Sequence, residues 1–271
     1  MIPMVKIALD AGHGLNTPGK QTPDGIKEWT LNDKVRDKVV YFLKDYDVEF
    51  VYPDNDEGLV DEGLTNRRGM YVNAEVDAAV SIHHNAYKGT WCTATGVEVY
   101  TDRNPTAADT KLANAIYTRL VKNTGLKGRG VKKTNWTVIT QNSVPAVLVE
   151  GGFMDNKSDH AFITSANGQT AYAKAVAEGL IEFLSLTKKS AAKPLYRIQT
   201  GAFRNKTYAT NLMNKIKAAG FDACIVMAGG YYKVQIGAFS KKANATSTMK
   251  KLKAAGFDSC IATNGSAAMP I

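Results

Sequence analysis

The chain has 271 residues, a mass of 29.3 kDa and an apolar content of 44%, enough for one large domain and one small domain. No apolar run approaches the roughly 20 residues of a membrane span, and the N-terminal residues lack the charged and apolar regions of a secretory signal. We therefore expect synthesis in the cytoplasm without Sec-dependent export, and no membrane partner. The three cysteines, Cys92, Cys224 and Cys260, are too few to stabilise such a fold by disulfides, and we expect them to be reduced.

The net charge of +9 is distributed unevenly along the chain. Residues 1–185 carry 20 basic and 23 acidic side chains, whereas residues 186–271 carry 14 basic and only two acidic ones. A region so basic usually meets a polyanion, either nucleic acid, an anionic membrane or an acidic wall polymer. The alternative is a surface that is basic only to remain soluble.

Residues 1–185 alternate apolar strand-like runs with amphipathic helical patterns. This alternation predicts an α/β domain with a twisted, mostly parallel sheet flanked by helices. The predicted strands are Val5–Leu9, Val48–Val51, Ala78–Ile82, Val97–Tyr100, Val138–Ile139 and Ala146–Val149. The predicted helices are Thr30–Lys44, Thr65–Glu75, Ala107–Thr124 and Thr170–Phe183.

Three of these strands run directly into polar residues that are able to bind a metal or move a proton. The first leads to the sequence DAGHG at residues 10–14, the third to HHN at residues 83–85, and the last to EGGF at residues 150–153. In open α/β sheets the ligand crevice lies beyond the carboxyl ends of the strands. We therefore expect these three strand ends to converge on one site.

His13 and His83 are the candidate metal ligands at these strand ends. Catalytic zinc takes three protein ligands, usually imidazole and carboxylate, and leaves a fourth position for water. A carboxylate should therefore be the third ligand. Glu28, in the loop that precedes the first helix, is suitably placed, but the spacing alone does not favour it over Asp10 or Asp24.

The segment at residues 186–194 mixes small and basic residues and ends in proline, as expected of a linker between domains. An internal repeat follows, in which residues 196–225 match residues 232–261 at 18 of 30 positions. A repeat of this kind indicates two copies of one supersecondary unit that cannot close a core alone. We place a first domain at residues 1–185 before the linker.

Each copy of the repeat has a period-2 strand pattern, then a helical pattern ended by glycine, then a second strand. Two copies predict a small ferredoxin-like βαββαβ domain at residues 195–264, with a tail at residues 265–271. The second and fourth strands should be the edges of its sheet. Cys224 and Cys260, one on each edge, should then be too far apart to form a disulfide.

The motifs of the first domain resemble those of the zinc-dependent N-acetylmuramoyl-L-alanine amidases of the Amidase_3 type, over roughly residues 4–185. DAGHG resembles that family's Asp-Pro-Gly-His-Gly, SIHHN its Ser-Ile-His-x-Asn, and EGGF its Glu-x-Gly-Phe. The resemblance implies a phosphorylase/hydrolase-like α/β fold. It also implies that zinc is bound by His13, Glu28 and His83, and that Glu150 is the catalytic carboxylate.

Three positions depart from the family pattern. Ala11 replaces a proline, Leu15 replaces a glycine, and His84 occupies a variable position beside His83. None of these changes removes a ligand. Because adjacent side chains on a strand point to opposite faces, only one of His83 and His84 can bind the metal.

The repeat resembles the SPOR domain, a peptidoglycan-binding module of ferredoxin-like fold, through YRIQTGAF at residues 196–203 and YKVQIGAF at residues 232–239. The resemblance implies that glycan strands bind on the face of the sheet. Gln199 and Gln235 are suitable hydrogen-bonding groups there, and Tyr231 or Tyr232 is able to stack on a sugar. Phe203 and Phe239 should belong to the core.

The combined resemblance implies a hydrolase that cuts the amide between the lactyl group of muramic acid and L-alanine. Zinc would polarise the carbonyl and activate water, and Glu150 would transfer the proton. For Glu150, the alternative is an ion pair with Arg67 or Arg68. An amidase followed by SPOR resembles endolysins of Gram-positive phages and sporulation autolysins, which are released to the wall by a holin or by mother-cell lysis.

Two other functions fit the same residues. One is a zinc peptidase that cuts the stem peptide, and the other is a basic nucleic-acid-binding protein with a structural metal site. A structural zinc would have a fourth protein ligand, and the repeat lacks the aromatic pattern of an RRM domain. We therefore expect the protein to bind bacterial peptidoglycan and no nucleic acid. We also expect it to be a monomer.

Overall fold

A computed structural model describes residues 4–140, 143–189, 195–228 and 230–263. The chain divides into two compact units, which we call the N-terminal unit, ending at Lys189, and the C-terminal unit, beginning at Ser190. Within the described residues, no helix is both long enough and apolar enough to cross a membrane.

The N-terminal unit is an α/β domain built on a six-stranded sheet. Its strands are β1 (Val5–Ala11), β2 (Val48–Val51), β3 (Ala78–Asn85), β4 (Val97–Asp102), β5 (Gly128–Thr134) and β6 (Ala146–Phe153). Its helices are α1 (Glu28–Leu43), α2 (Leu64–Asn73), α3 (Ala107–Thr124), α4 (Lys157–Ile163) and α5 (Ala166–Leu184). The strand order is β2-β1-β3-β6-β4-β5, and only the β4–β6 pair is antiparallel, so the predicted mostly parallel sheet is confirmed.

The main core lies between one face of this sheet and helices α1, α3 and α5. Helix α1 buries a stripe at i, i+4 spacing that includes Leu31, Val35 and Val39. Helix α3 begins at a capping box, in which Thr106 and Asp109 satisfy each other's backbone N–H groups, and ends at the left-handed Gly125. The opposite face carries a smaller core with helix α2, which leaves room there for polar side chains at the strand ends.

The predicted strands and helices are confirmed with four corrections. Helix α4 was not predicted, because its seven residues are too few for a clear apolar periodicity. Val138–Ile139 is not a strand, because it lies in the short 3-10 helix Thr137–Ile139 that packs beside α2. Strand β5 was not predicted, because its sequence GRGVKKT lacks apolar alternation and it pairs only with β4. Glu28 lies at the first residue of α1 and not in the preceding loop.

The C-terminal unit has the predicted ferredoxin-like arrangement. Its elements are β7 (Tyr196–Phe203), α6 (Lys206–Ala218), β8 (Ala223–Ala228), β9 (Tyr231–Phe239), α7 (Lys242–Ala254) and β10 (Cys260–Ala262). The strand order β10-β7-β9-β8 places the second and fourth strands at the two edges, as predicted. Cys260, Gln199, Gln235 and Cys224 form one row across the four strands, so the two cysteines lie roughly 14 Å apart. All three cysteines of the chain are free, as expected.

The two copies of the repeat meet at the centre of this sheet. Gln199 of the first copy pairs with Gln235 of the second, and Ile198 pairs with Ile236. Both glutamines lie on the face opposite the helices, because Ile198 and Val234, next to them in sequence, are buried in the core. Phe203 and Phe239 pack against that core as predicted, and so does Tyr232.

Gly201 ends the regular part of β7, and the register shifts there between Thr200 and Ala202. Its φ is 63°, and a Cβ atom would lie 2.5 Å from the ring of Phe203. Gly237, in the second copy, has a φ of 61°, and a Cβ atom there would lie 2.7 Å from the ring of Phe239. Only glycine fits such a bend without strain, which explains why it recurs in both copies.

Candidate functional site

Two imidazoles and one carboxylate meet at the carboxyl ends of β1 and β3. Glu28 Oε2 lies 3.3 Å from His13 Nε2, and Glu28 Oε1 lies 3.1 Å from His83 Nδ1. One potential ligand atom from each of the three residues lies within 4.8 Å of the others. The rings of His13 and His83 are 4.9 Å apart and nearly perpendicular. The three side chains therefore form a compact group of the kind that binds a metal ion.

The backbone at Gly12 and His13 brings the two imidazoles together. A Cβ atom at Gly12 would lie 2.0 Å from His83 Cε1, so only glycine permits this approach. His13 has a φ of 68°, a left-handed conformation that turns its side chain out of the direction of β1. Asn32 Nδ2 donates a 3.0 Å hydrogen bond to the carbonyl of Gly12 and holds this turn from helix α1.

The charges of the three groups suit metal binding. Burial opposes ionisation of Glu28, but the hydrogen bond from His83 and the positive charge of both imidazoles lower its pKa to about 2. Burial lowers the pKa of His13 to about 4. Burial also acts to lower the pKa of His83, but the hydrogen bond and charge of Glu28 raise it overall. At neutral pH the group thus offers an ionised carboxylate and a neutral imidazole, which are the forms that bind metals.

His84 points to the other face of β3 and does not join this group. Its Nδ1 lies 2.8 Å from Asn32 Oδ1, and its ring contacts Tyr172 edge-on at 5.5 Å. Burial lowers the pKa of His84 to about 4, so its imidazole is neutral. The backbone N–H of His84 donates to Glu28 Oε1 at 3.2 Å and helps to fix that carboxylate. His83 and His84 thus point to opposite faces of β3, as strand alternation predicts, and His83 is the one that lies in the three-residue group.

Glu150 lies beside this group on strand β6, paired with His83 on β3 and with Glu98 on β4. It is 8% exposed, and its Oε2 is buried with no hydrogen-bond partner in the described part of the chain. Burial raises the pKa of Glu150 to about 8, and the negative charges of Glu28 and Glu98 act in the same direction. An unpartnered buried carboxyl is costly, and such groups mark functional sites.

The alternative carboxylates have other roles. Asp10 is buried in an ion pair with Arg67 and accepts a 2.6 Å hydrogen bond from Ser81 Oγ, so both of its oxygens are occupied. Asp24 lies outside the group, bonded to Thr22 and close to His160. Arg67 also donates to the carbonyls of Ala11 and His13. Arg67 therefore holds the turn at residues 11–13, and, of the two arginines considered as partners of Glu150, it is engaged elsewhere.

Glu98 is a buried neighbour of Glu150 that sequence reasoning missed. Its Oε1 accepts hydrogen bonds from Asn85 at 2.7 Å and from the Tyr100 hydroxyl at 2.8 Å. Its Oε2 accepts from Arg129 at 2.6 Å and from Lys132. A single glutamate between Val97 and Val99 in an apolar strand was the signal that could have identified it.

A cavity of about 260 Å³ opens on the opposite side of the group, toward β1 and α2. His13 and His83 form one of its walls, and the remaining walls contain Lys20, Asp61 and Glu62. The two imidazoles are therefore accessible to a molecule in this cavity, whereas Glu28 is almost completely buried.

Comparisons with known proteins identify relatives of both units. The profile of the family described as N-acetylmuramoyl-L-alanine amidase, of the Amidase_3 type, matches residues 7–182, and the SPOR domain profile matches residues 160–227 and 228–266. A sporulation-specific N-acetylmuramoyl-L-alanine amidase of Bacillus subtilis (strain 168) is 34% identical over 226 residues, which cover 83% of this chain and 85% of that protein. The endolysin of Bacillus phage SPP1 is 35% identical over 188 residues, which cover 67% of each chain.

Solved structures extend the likeness to the fold. The catalytic domain of CwlV, an N-acetylmuramoyl-L-alanine amidase from Bacillus (Paenibacillus) polymyxa var. colistinus, matches with a TM-score of 0.62 and 28% identity. The match covers 68% of this chain and 100% of that domain. An N-acetylmuramoyl-L-alanine amidase from Clostridium difficile 630 matches with a TM-score of 0.63 and 27% identity, over 67% of this chain and 97% of that one.

Proposed function

The chain belongs to the Amidase_3 family of N-acetylmuramoyl-L-alanine amidases, and from that premise we propose that a zinc ion on His13, Glu28 and His83 serves its reaction. The reaction is hydrolysis of the amide that joins the lactyl group of muramic acid to L-alanine in peptidoglycan. The observation that carries the zinc proposal is the convergence of two imidazoles and one buried carboxylate beyond neighbouring strand ends.

The chemistry of these ligands fits zinc in a catalytic site. Two histidines and one carboxylate are a known ligand set for catalytic zinc, and three protein ligands leave a coordination position for water. When bound, zinc supplies a Lewis acid for the amide carbonyl and lowers the pKa of water. Asn32 contributes by holding the turn at Gly12, and the His84 amide contributes by donating to Glu28. Contacts of this kind fix the orientation of metal ligands.

Glu150 is proposed as the general base and then the general acid. Its unpartnered Oε2 is available to accept a proton from the attacking water, and the same oxygen then donates that proton to the departing nitrogen of L-alanine. A base must be ionised before it acts. Burial in the metal-free protein opposes ionisation of Glu150, and a nearby cation favours it.

The C-terminal unit is a SPOR domain, and we propose that it holds the enzyme on glycan strands through the open face of its sheet. Gln199 and Gln235 lie at the centre of that face, and the basic residues Arg197 and Lys233 lie beside them on the same strands. A neutral hydrogen-bonding centre with positive charge at its margin suits a polymer that carries both hydroxyl and carboxylate groups. Because one chain supplies both the zinc ligands and this face, we propose that the active form is a monomer.

Hydrolysis of purified bacterial walls tests this function. We expect solubilisation by the wild-type protein, loss of activity with a chelator, and recovery when zinc is added back. End-group analysis of the products should show new N-terminal L-alanine in proportion to the hydrolysis.

Two results would contradict the proposal. New amino termini other than L-alanine would indicate a stem-peptide peptidase, and full activity after verified removal of metal would exclude the metal mechanism. A His83→Ala variant serves as the control, because it should contain less zinc and show no activity, whereas the exposed Glu49→Gln should match the wild type.

A further inference from the structure

One face of the N-terminal sheet carries a continuous row of charged side chains that extends away from the zinc ligands. His83 on β3 pairs with Glu150 on β6, and Glu150 pairs with Glu98 on β4. Paired residues on neighbouring strands point to the same face, so these three side chains are neighbours. The row continues to β5, because Arg129 and Lys132 both donate to Glu98 Oε2.

The β5 end of this row has an excess of positive charge and free donors. Glu98 compensates only one of the two positive charges. Arg129 donates through Nε to Glu98 and weakly through Nη1 to the Thr95 carbonyl, which leaves Nη2 without a partner within the described residues. Lys132 uses one of its three N–H donors. The Arg129 and Lys132 side chains are 31% and 36% exposed, so a ligand is able to reach them.

The opposite side of the zinc ligands has the reverse charge. Three carboxylates, Asp10, Asp61 and Glu62, line the 260 Å³ cavity there against two basic residues, Lys20 and Arg67. A substrate with one neutral end and one anionic end would therefore be oriented by the site. Its anionic end would lie toward β5 and its neutral end toward the cavity.

We propose that Arg129 and Lys132 form a subsite for a free carboxylate on the stem peptide, on the residue that follows L-alanine. This inference rests on the proposed function, because it takes the scissile amide to lie between the zinc ligands and Glu150. Arg129 presents a planar guanidinium edge that suits a carboxylate, and Lys132 adds a second charge. Glu98 acts as a positioning residue that holds both cations beside Glu150.

The dimensions of the sheet fit this assignment. Neighbouring strands are about 4.8 Å apart, so β5 lies roughly 10 Å from β6, which carries Glu150. The two basic side chains cover part of this distance, because they contact Glu98 on the intervening strand β4. One extended residue spans about 3.5 Å, so the residue after L-alanine lies within reach of the two cations when the amide is at Glu150.

Two matched soluble substrates test the subsite. Both are muramoyl-L-alanyl peptides; one has isoglutamate as its second residue, with a free carboxylate, and the other has isoglutamine, with a neutral amide. We expect the wild type to cleave the carboxylate form with a kcat/KM about tenfold higher. The double variant Arg129→Gln with Lys132→Gln should cleave both at nearly equal rates.

Two further variants separate recognition from support of the fold. Lys133→Gln, on the opposite face of β5, should keep the wild-type preference, because its exposed side chain points away from Glu98. Lys132→Arg, which retains the charge, should also keep the preference.

Equal loss of kcat/KM for both substrates in the double variant would overturn the proposal, since it would show that the cations only support Glu98. Equal cleavage of both substrates by the wild type would also overturn it. Cleavage of neither substrate by a wild type that contains zinc would contradict the proposed function, and this inference with it.

Discussion

The two units bury polar side chains to very different extents. In the described part of the N-terminal unit, sixteen polar or charged residues are buried, whereas the corresponding part of the C-terminal unit buries one, Thr200. Both units have a sheet covered by helices and an apolar core. The difference therefore reflects where the functional groups of each unit are located. The enzyme site lies at buried strand ends, and the proposed wall-binding face lies on the surface.

Most buried polar groups in the N-terminal unit are matched by partners. Asp155 accepts three backbone N–H groups from residues 87–89, and Asp159 accepts those of Gly96 and Phe153. Partners of this kind remove most of the cost of burial. Asp155 Oδ1, His84 Nε2 and Glu150 Oε2 are each buried without a partner among the described residues. Asp155 and His84 are held by hydrogen bonds at their other polar atoms, whereas the described residues provide none for the Glu150 carboxyl. The comparison therefore points to Glu150 as the buried residue whose removal should affect activity more than stability.

Glu150→Gln is the strongest test of this comparison. The substitution preserves the shape of the side chain but removes the proton-accepting oxygen, so kcat should fall by roughly a thousandfold. Zinc content, measured by elemental analysis, should remain at the wild-type level, because Glu150 is not among the three proposed ligands. Retention of more than a tenth of the activity would remove Glu150 from the mechanism.

A smaller effect is expected from pH, through the buried His84. Its pKa is about 4 in the folded protein and near 6.5 in the unfolded chain, so between these values the unfolded state binds more protons. The contribution of His84 to stability should therefore fall by about 3 kcal/mol as the pH drops from 7 to 4. Asn32 Oδ1 accepts from Nδ1, so an added proton would go to Nε2, which has no partner among the described residues.

Urea unfolding of the metal-free protein at pH 7 and pH 4 checks this value. The tryptophans Trp29, Trp91 and Trp136 all lie in the N-terminal unit, so their fluorescence reports on that unit alone. The free energy of unfolding of His84→Gln should fall by about 3 kcal/mol less than that of the wild type. Parallel losses in the two proteins would show that His84 is not the titrating group.

The smallest effect is expected on the surface of the C-terminal unit. Lys233→Gln removes one charge from the open face and should weaken cosedimentation with purified walls about threefold, the usual scale for one exposed charge. The thermal midpoint and the hydrolysis of soluble substrates should not change. Lys250→Gln on α7 is the matched control, and an equal loss of binding in that variant would attribute the effect to total charge and not to this face.

The sequence was sufficient for most of the fold, because the central strands and long helices have clear apolar periodicity. It failed where an element is defined by its partners. Strand β5 has no apolar alternation. Its basic residues Arg129 and Lys132 are positioned by the hydrogen bonds that they donate to Glu98 on β4. Val138–Ile139 has the composition of a strand, but its two buried residues belong to a 3-10 turn against α2.

The same limit applied to the site. His13 and His83 could be identified from their positions after apolar strands. The choice of Glu28 over Asp10 could not be made from spacing. It depends on Arg67, which is distant in sequence and forms an ion pair with Asp10. The separation of His83 from His84 could be predicted from strand alternation, but the contact of His84 with Asn32 required the packing of α1 on β3.

The pairing of the two repeat copies has a consequence for how the C-terminal unit binds a polymer. Gln199 lies opposite Gln235, and the strands around them are antiparallel. A half turn about an axis perpendicular to the sheet, midway between the two glutamines, therefore exchanges one copy for the other. A glycan strand has chemically distinct ends, yet it meets nearly the same groups on this face in either direction. If glycan binds there as proposed, the surface holds a strand without recognising its polarity, which suits an attachment domain that meets wall strands in either direction.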